Sequence, residues 1–382
     1  MILTKNNVMR ILYVTDALAV WGGIERVLSD KMNYLVRVLG YEVYIVTANQ
    51  GNHPIPYPLD ERVHVEDFNI RYQDQYKYHG LRRIKQFRYY GTLLKQRMKS
   101  SIERIKPDVI SCIRDGFACT VLDVHGSIPV IFESHAMYKD ITFEKSTLLH
   151  RIITYMNRRK FKNLSCLVAL TSGDAKDWKK VCNNTCVIPN VVHLNETGKY
   201  SSCDNKKAIF VGRFDAQKDF GMMVKIWEIV QTHHPEWQLE VYGNGDLKPF
   251  YVEEVRSKKL NININPAVVN IFEKYIDSSM LLMTSFYEPF GLVLPEAMSC
   301  GIPVVAFNCP YGPADIINHG HDGFLVDLGN VDDYANYVCR LMENEAMRKD
   351  MGQTAIFSSE RYRADVVMPQ WKNLFEKLME RK

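Results

Sequence analysis

Short apolar runs alternate with longer amphipathic segments along this chain, and the alternation happens twice. The first series opens with ILYVTDA (11–17), a run that reads as a buried strand. A helical pattern, IERVLSDKMNYLVRVLG, follows it, and YEVYIVTA (41–48) is the next strand. PDVISCI (107–113), IPVIFES (128–134) and LSCLVAL (164–170) continue the series. Strands separated by helices pair in parallel, because a parallel crossover needs the length a helix supplies. Near residue 190 the character changes: HLNETGKYSSCDNKK is polar and aperiodic and reads as a linker. The rhythm then restarts with AIFVGRF (208–214), WQLEVYGNGD, LLMTSF (281–286) and IPVVAF (302–307) as strands. The expected fold class is α/β, with two doubly wound, Rossmann-like halves facing a cleft where ligands bind at strand carboxyl ends.

The length of 382 residues suits two such halves. Hydrophobic residues at 46% and charged residues at 24% exclude a disordered chain. Lys plus Arg exceed Asp plus Glu by 48 − 44 = 4, too small a surplus to indicate nucleic acid. Nine cysteines, an odd number with no CxxC spacing, favour neither a disulfide framework nor a zinc site. A reducing, cytoplasmic location is expected, since no run approaches the roughly 20 apolar residues of a membrane span. The opening MILTKNNVMR also lacks a signal peptide's apolar stretch.

Three stretches carry chemistry. In Glu288-Pro-Phe-Gly-Leu-Val-Leu-Pro-Glu296, the first Glu sits in a loop after a strand. Gly291 is expected to open a helix whose free N–H groups can hold an anion. Glu296, about two turns on, would lie near the same face and accept hydrogen bonds from vicinal hydroxyls. A capped helix with a first-turn acid would read the same way. In Gly212-Arg213-Phe214-Asp215-Ala216-Gln217-Lys218, two cations follow a strand and are placed to neutralise a diphosphate. A solvated basic turn is the plainer alternative. Gly22 and Gly23, between the first strand and first helix, let backbone approach a phosphate, although such pairs are common in ordinary turns.

Together these stretches resemble the glycosyltransferase B fold (GT-B), specifically retaining glycosyltransferase family 4. The E-x7-E signature of that family matches Glu288 and Glu296, its diphosphate-binding Arg and Lys match Arg213 and Lys218, and its Gly-Gly loop matches Gly22 and Gly23. The motif support is strongest over 208–327. By this resemblance Glu296 would hold the donor ribose and Glu288 the donor-sugar hydroxyls. Backbone of Phe290, Gly291 and Leu292 would line the phosphate and sugar, and Val268 would lie beside the base. His135 in FESHAM would stand near the transferred sugar, and Ser172 and Asn190 would make donor-side contacts. The domains would be an acceptor-side domain over 1–190 and a nucleotide-sugar domain over 191–365, with a final helix, 366–382, returning to the first.

The resemblance implies a hexosyltransferase that uses a UDP-sugar and retains anomeric configuration, in assembly of a bacterial surface glycan such as lipopolysaccharide or capsule. No cofactor is expected. No Asp-x-Asp motif is present, so no metal is expected either. Cys309-Pro-Tyr-Gly-Pro-Ala-Asp-Ile-Ile resembles a segment of members that transfer galactose-type or N-acetylhexosamine sugars, which points to UDP-GalNAc, UDP-Gal or UDP-GlcNAc. Residues 82–106 hold nine Lys or Arg and one Glu, with Ile84, Phe87, Tyr90, Leu94 and Met98 at helical spacing. Such a helix suits an anionic membrane face or a lipid diphosphate, with Arg82, Arg83, Lys85, Arg88 and Lys95 as the contacting cations. It equally suits a surface helix with one core-facing stripe. The partners expected are thus a UDP-sugar, a lipid-linked or oligosaccharide acceptor and the membrane surface, without nucleic acid. A nucleotide-sugar epimerase on the same fold and a non-catalytic transferase-like subunit are the competing readings.

Overall fold

The computed structural model describes residues 8–138 and 148–380. The chain divides into two compact units, Met1–Val191 with Val367–Lys382, and Val192–Val366.

The first unit runs β1 (Arg10–Thr15), α1 (Gly23–Arg37), β2 (Glu42–Thr47), β3 (His64–Asp67), α2 (Gly80–Ile105), β4 (Val109–Cys112), α3 (Asp115–Val121), β5 (Val130–Ser134), α4 (Leu148–Lys160), β6 (Cys166–Ala169), α5 (Ser172–Trp178) and β7 (Thr185–Val187). Its seven strands form one sheet in the order β3-β2-β1-β4-β5-β6-β7. Every pair is parallel. The central strands are buried along their length, as β4, β5 and β6 show, because helices cover both faces of a parallel sheet. Strand order reverses between β1 and β4, so the loops that follow these two strands diverge.

Helix α2 corrects one expectation. Leu94 and Met98 enter the core beside Ile110 and Val130, but Ile84 is 55% and Phe87 52% exposed. The stripe is therefore core-facing only in its second half. Helix α2 is 26 residues long, and only its C-terminal portion packs against the sheet core.

The second unit runs β8 (Lys207–Val211), α6 (Phe220–His233), β9 (Gln238–Tyr242), α7 (Lys248–Ser257), β10 (Ile262–Asn265), α8 (Phe272–Ile276), β11 (Met280–Met283), α9 (Val293–Met298), β12 (Val304–Phe307), α10 (Gly312–Ile316), β13 (Gly323–Val326), α11 (Val331–Glu343) and α12 (Glu345–Ser359). The six-stranded parallel sheet has the order β10-β9-β8-β11-β12-β13, with its reversal between β8 and β11. Trp227 of α6, Trp237, Phe210 and Tyr334 are fully buried in its core. The Tyr334 hydroxyl donates 2.6 Å to the Val305 carbonyl, so the phenol is satisfied as well as buried.

The segment read as a linker is instead a covering strap on this unit. Ser299 Oγ accepts from the Asn195 amide at 3.0 Å, the Ser201 amide donates to the Cys300 carbonyl at 2.8 Å, and Cys203 is buried. Arg348, also buried, donates 3.0 Å to the Cys203 carbonyl and 2.6 Å to that of Leu341. A polar, aperiodic segment can pack in this way when side chains and neighbouring backbone satisfy its own backbone groups.

The last helix, α13 (Ala364–Met379), returns to the first unit from Val367 onward. Residues 381–382 of the expected terminal helix lie outside the described residues. Its apolar face buries Val367, Met368, Trp371, Phe375 and Leu378, a spacing of three and four that fits one helical face.

Candidate active site

In the second unit the β8–α6 and β11–α9 loops leave the two strands on either side of the reversal, and hydrogen bonds tie them together. The Asp215 carboxylate accepts from the Gln217 and Lys218 amides at 3.1 and 3.0 Å, folding the β8–α6 loop into an Asx turn. The Phe286 amide donates 2.8 Å to the Gln217 carbonyl, and the Gln217 amide side chain donates 3.2 Å to the Tyr287 carbonyl. Thr284 Oγ1 donates 3.0 Å to the Asp219 carbonyl. Asp219 itself has φ 45° and caps α6 by accepting from the Met222 amide at 3.3 Å. Asp tolerates that left-handed backbone and makes a good cap, so one residue both ends the loop and starts the helix.

This framework joins Lys218 to Glu288. The ammonium of Lys218 donates to Glu288 Oε1, which also accepts from Ser285 Oγ at 2.8 Å. Glu288 is 4% exposed. Among the described residues no hydrogen bond engages Glu288 Oε2, so that oxygen retains acceptor capacity for a ligand hydroxyl. Arg213 lies on the same loop with its side chain outside: Nε donates 2.9 Å to Asp215, and the group is 69% exposed.

The segment singled out at Cys309–Ile317 runs beside Glu288. The Glu288 amide donates 2.7 Å to the Pro310 carbonyl, and the Tyr311 and Gly312 amides return to the Glu288 carbonyl at 2.8 and 2.9 Å. A Cβ on Gly312 would collide with the Phe290 carbonyl oxygen, so only glycine permits this approach.

Two expectations for the acidic motif need correction. Gly291 does not open the helix: it has φ +96°, and α9 begins at Val293 after Leu292. Glu288 is thus a loop residue outside the helix, and helical spacing does not relate it to Glu296. Glu296 lies in the first turn of α9, is 7% exposed, and accepts from the Tyr275 hydroxyl at 3.5 Å. The Phe290 side chain is buried with its ring 5.3 Å from that of Tyr362, leaving only its backbone for a ligand. Leu292 is half-buried, and Val268 is partly exposed in the loop after β10.

In the first unit His135 follows β5, and Asn190 lines the same small cavity of about 10 Å³. Both are buried. Gly22 caps α1 with an extended backbone, and Gly23 is that helix's first residue. Ser172 is the exposed first residue of α5, after the capping Thr171. Arg82, Arg83, Lys85 and Arg88 are exposed on α2, whereas Lys95 pairs with Asp123 at 3.3 Å. The sequence reading missed Ser285 and Gln217, and also Lys31 and Glu133 beside His135. Ser285 and Gln217 sit within three residues of selected positions; Lys31 carries no local signal, being one lysine in an amphipathic helix.

Among the described residues no cluster of three or more His, Cys, Asp or Glu could hold a metal ion. No helix among them is long and apolar enough to cross a membrane.

Comparison with known proteins bears on the fold and on the region that holds these loops. The family described as Glycosyl transferases group 1 matches residues 195–356, which contain every element of the Lys218–Glu288 site. The amylovoran biosynthesis glycosyltransferase AmsD of Erwinia amylovora is 26% identical over 377 residues, covering 96% of this chain and 99% of its own. An alpha-1,4-N-acetyl-D-galactosaminyltransferase of Campylobacter jejuni, named for a GalNAc-bearing diNAcBac-PP-undecaprenol, is 23% identical over 92% of this chain and 94% of its own. Among solved structures, a mutant of S. aureus TarM in complex with fondaparinux, alpha-GlcNAc-glycerol and UDP superposes with a TM-score of 0.78 at 15% identity, covering 96% of this chain and 100% of that one. On this fold and these matches the chain resembles the GT-B, family 4-like glycosyltransferases of bacterial surface-glycan assembly, and its residues 195–356 match the model of the glycosyl transferases group 1 family.

Proposed function

We propose that this chain is a retaining, metal-independent glycosyltransferase that moves a hexose or N-acetylhexosamine from UDP-GalNAc, UDP-Gal or UDP-GlcNAc to a lipid-linked saccharide. The observation that carries this reading is the pair of half-buried Lys218 and buried Glu288 at the strand-order reversal of the second unit. The position suits a nucleotide ligand, since α/β sheets bind ligands at such reversals. Lys218 and Arg213 supply the positive charge that a departing diphosphate needs. Glu288 Oε2 accepts from donor-sugar hydroxyls, and Glu296 accepts from the ribose. With Oε1 held by Lys218 and Ser285, Glu288 is a binding group and not a nucleophile. The leaving phosphate then helps deprotonate the acceptor hydroxyl on the same face, which retains configuration. His135, Ser172, Asn190 and the Gly22–Gly23 turn are the first-unit groups assigned to the donor side in this reading.

The chemistry is tested by thermal shift and turnover with UDP-, GDP- and ADP-sugars, each with and without EDTA, followed by NMR assignment of the product anomer. Stabilisation by one UDP-hexose or UDP-hexosamine, unchanged by EDTA, is expected, with an α-linked product from an α-linked donor. Loss of turnover in EDTA, or a β-linked product, would overturn the mechanism. Turnover of UDP-GlcNAc without any acceptor would favour the epimerase reading.

The acceptor side rests on α2. Its first half presents Arg82, Arg83, Lys85 and Arg88 beside Ile84, Phe87 and Tyr89, all exposed. Cations interleaved with exposed apolar side chains suit an anionic bilayer surface, with each cation near it contributing about 1 kcal/mol. The Arg82→Glu/Arg88→Glu variant is expected to lose co-sedimentation with vesicles containing anionic lipid while keeping its thermal midpoint. Unchanged co-sedimentation would remove the membrane role from this helix.

A further inference from the structure

The first unit buries a charged cluster that the proposed reaction does not account for. Lys31 of α1 and Glu133 of β5 are 2% and 3% exposed at their side chains, and Nζ meets Oε1 at 2.7 Å. Ser111 Oγ of β4 donates to the same oxygen. The other oxygen, Oε2, lies 3.5 Å from His135 Nε2. Trp371 of α13 closes the cluster from above: its ring centroid is 2.9 Å from the Lys31 ammonium.

Burial opposes the charge on Glu133, but the Lys31 ammonium and the His135 ring outweigh it and hold the carboxyl down at about 2. Burial also pushes Lys31 down to about 8, against the attraction of Glu133, so both remain charged at neutral pH. A buried ion pair of this kind adds little net stability over apolar side chains of similar volume. The fold does not need a carboxylate at this point in β5. What the carboxylate does have is one oxygen committed to Lys31 and Ser111, and the other aimed at a ring nitrogen. His135 Nε2 is buried and makes no hydrogen bond among the described residues, while the adjoining cavity of about 10 Å³ is at the lower limit for a single water. Glu133 Oε2, at 3.5 Å, is therefore the nearest acceptor for a proton carried on Nε2.

We propose that Glu133 is a positioning residue that fixes His135 as the Nε2–H tautomer, with Lys31 and Trp371 keeping that carboxylate charged and in place. The inference rests on the reading that His135 stands at the transferred sugar. A permanent negative charge beside Nε2 stabilises the proton there and leaves the lone pair on Nδ1, the state in which the ring accepts a hydrogen bond from a hydroxyl. The last helix thereby takes part in the site's chemistry by covering the cation that holds the carboxylate.

The test uses the full-length protein. Because Glu133→Gln alone strands a buried ammonium, Glu133→Gln/Lys31→Met accompanies it and carries the argument if the single variant fails to fold. In the folded variant kcat is expected to fall on the order of 10–100-fold, the scale on which removing a group that orients a functional imidazole acts, with donor KM within about twofold. Imidazole 15N spectra, with His135 assigned by its loss in His135→Ala, are expected to show an Nε2–H ring in the wild type and a mixed or Nδ1–H ring in the variant. A wild-type Nδ1–H ring, or a folded variant with unchanged kcat and spectrum, would overturn the proposal. Full activity of His135→Ala would instead remove His135 from the reaction, and the spectra would still decide whether Glu133 sets its tautomer.

Discussion

Lys218→Ala is expected to lower kcat on the order of 10²–10³-fold, the scale seen when one preorganised donor to developing negative charge is removed. It is also expected to lower stability, which the sequence alone does not suggest. Glu288 is 4% exposed and in this substitution loses the cation it pairs with, keeping Ser285 at 2.8 Å. An unpaired buried carboxylate of this kind costs about 3–5 kcal/mol. The two effects separate in Lys218→Met/Glu288→Gln, where no charge is stranded and the thermal midpoint should recover while turnover stays low. Near-normal turnover in either variant would remove Lys218 from the diphosphate site.

Gly312→Ala should be comparably damaging, by a steric route. The added methyl group would overlap the Phe290 carbonyl oxygen, carbon and Cα, all of which are backbone and cannot rotate away. Gly312 can move away from Phe290 only by breaking the bonds from the Tyr311 and Gly312 amides to the Glu288 carbonyl, at 2.8 and 2.9 Å. Two lost hydrogen bonds of about 1 kcal/mol each, with overpacking of about 1–3 kcal/mol, give roughly 3–5 kcal/mol of destabilisation. Donor affinity should fall in parallel, since the displaced backbone belongs to Glu288, Phe290 and Gly291. Gly320→Ala is the control: that glycine has φ +83° but open space around its Cβ position, so its cost is limited to backbone strain. A Gly312→Ala protein with wild-type midpoint and donor affinity would show that the two segments separate freely.

Most of the fold was legible because it is written in burial. Each strand read from an apolar run is present within a few residues of its expected limits. The four strands that were not read, β3, β7, β10 and β13, are the four sheet edges. An edge strand has a neighbour on one side only and tolerates polar side chains, as HVED, TCV and ININ show. GFLV is apolar but only four residues long, enclosed by His-Gly-His-Asp and Asp-Leu-Gly-Asn. Length, and not composition, hid it.

The site divides along a similar line. Residue types and their order along the chain carried Arg213, Lys218, Glu288 and Glu296, because charges that follow parallel strands are placed at the sheet's ligand-binding end whatever the details. The sequence therefore determined two parallel sheets, the positions of the loops at their carboxyl ends and the charges on them. It did not determine which charges meet. Lys218 and Glu288 are 70 residues apart, and Lys31 and Glu133 are 102 residues apart. Each pair forms because adjacent or facing elements bring the side chains together, and no local pattern records that adjacency. Only the tertiary structure decided that one carboxylate would face a lysine and a serine, and the other a lysine, a serine and a histidine. The free energy of burying charge depends on what lies within a few ångströms in space, and separation along the chain does not enter it.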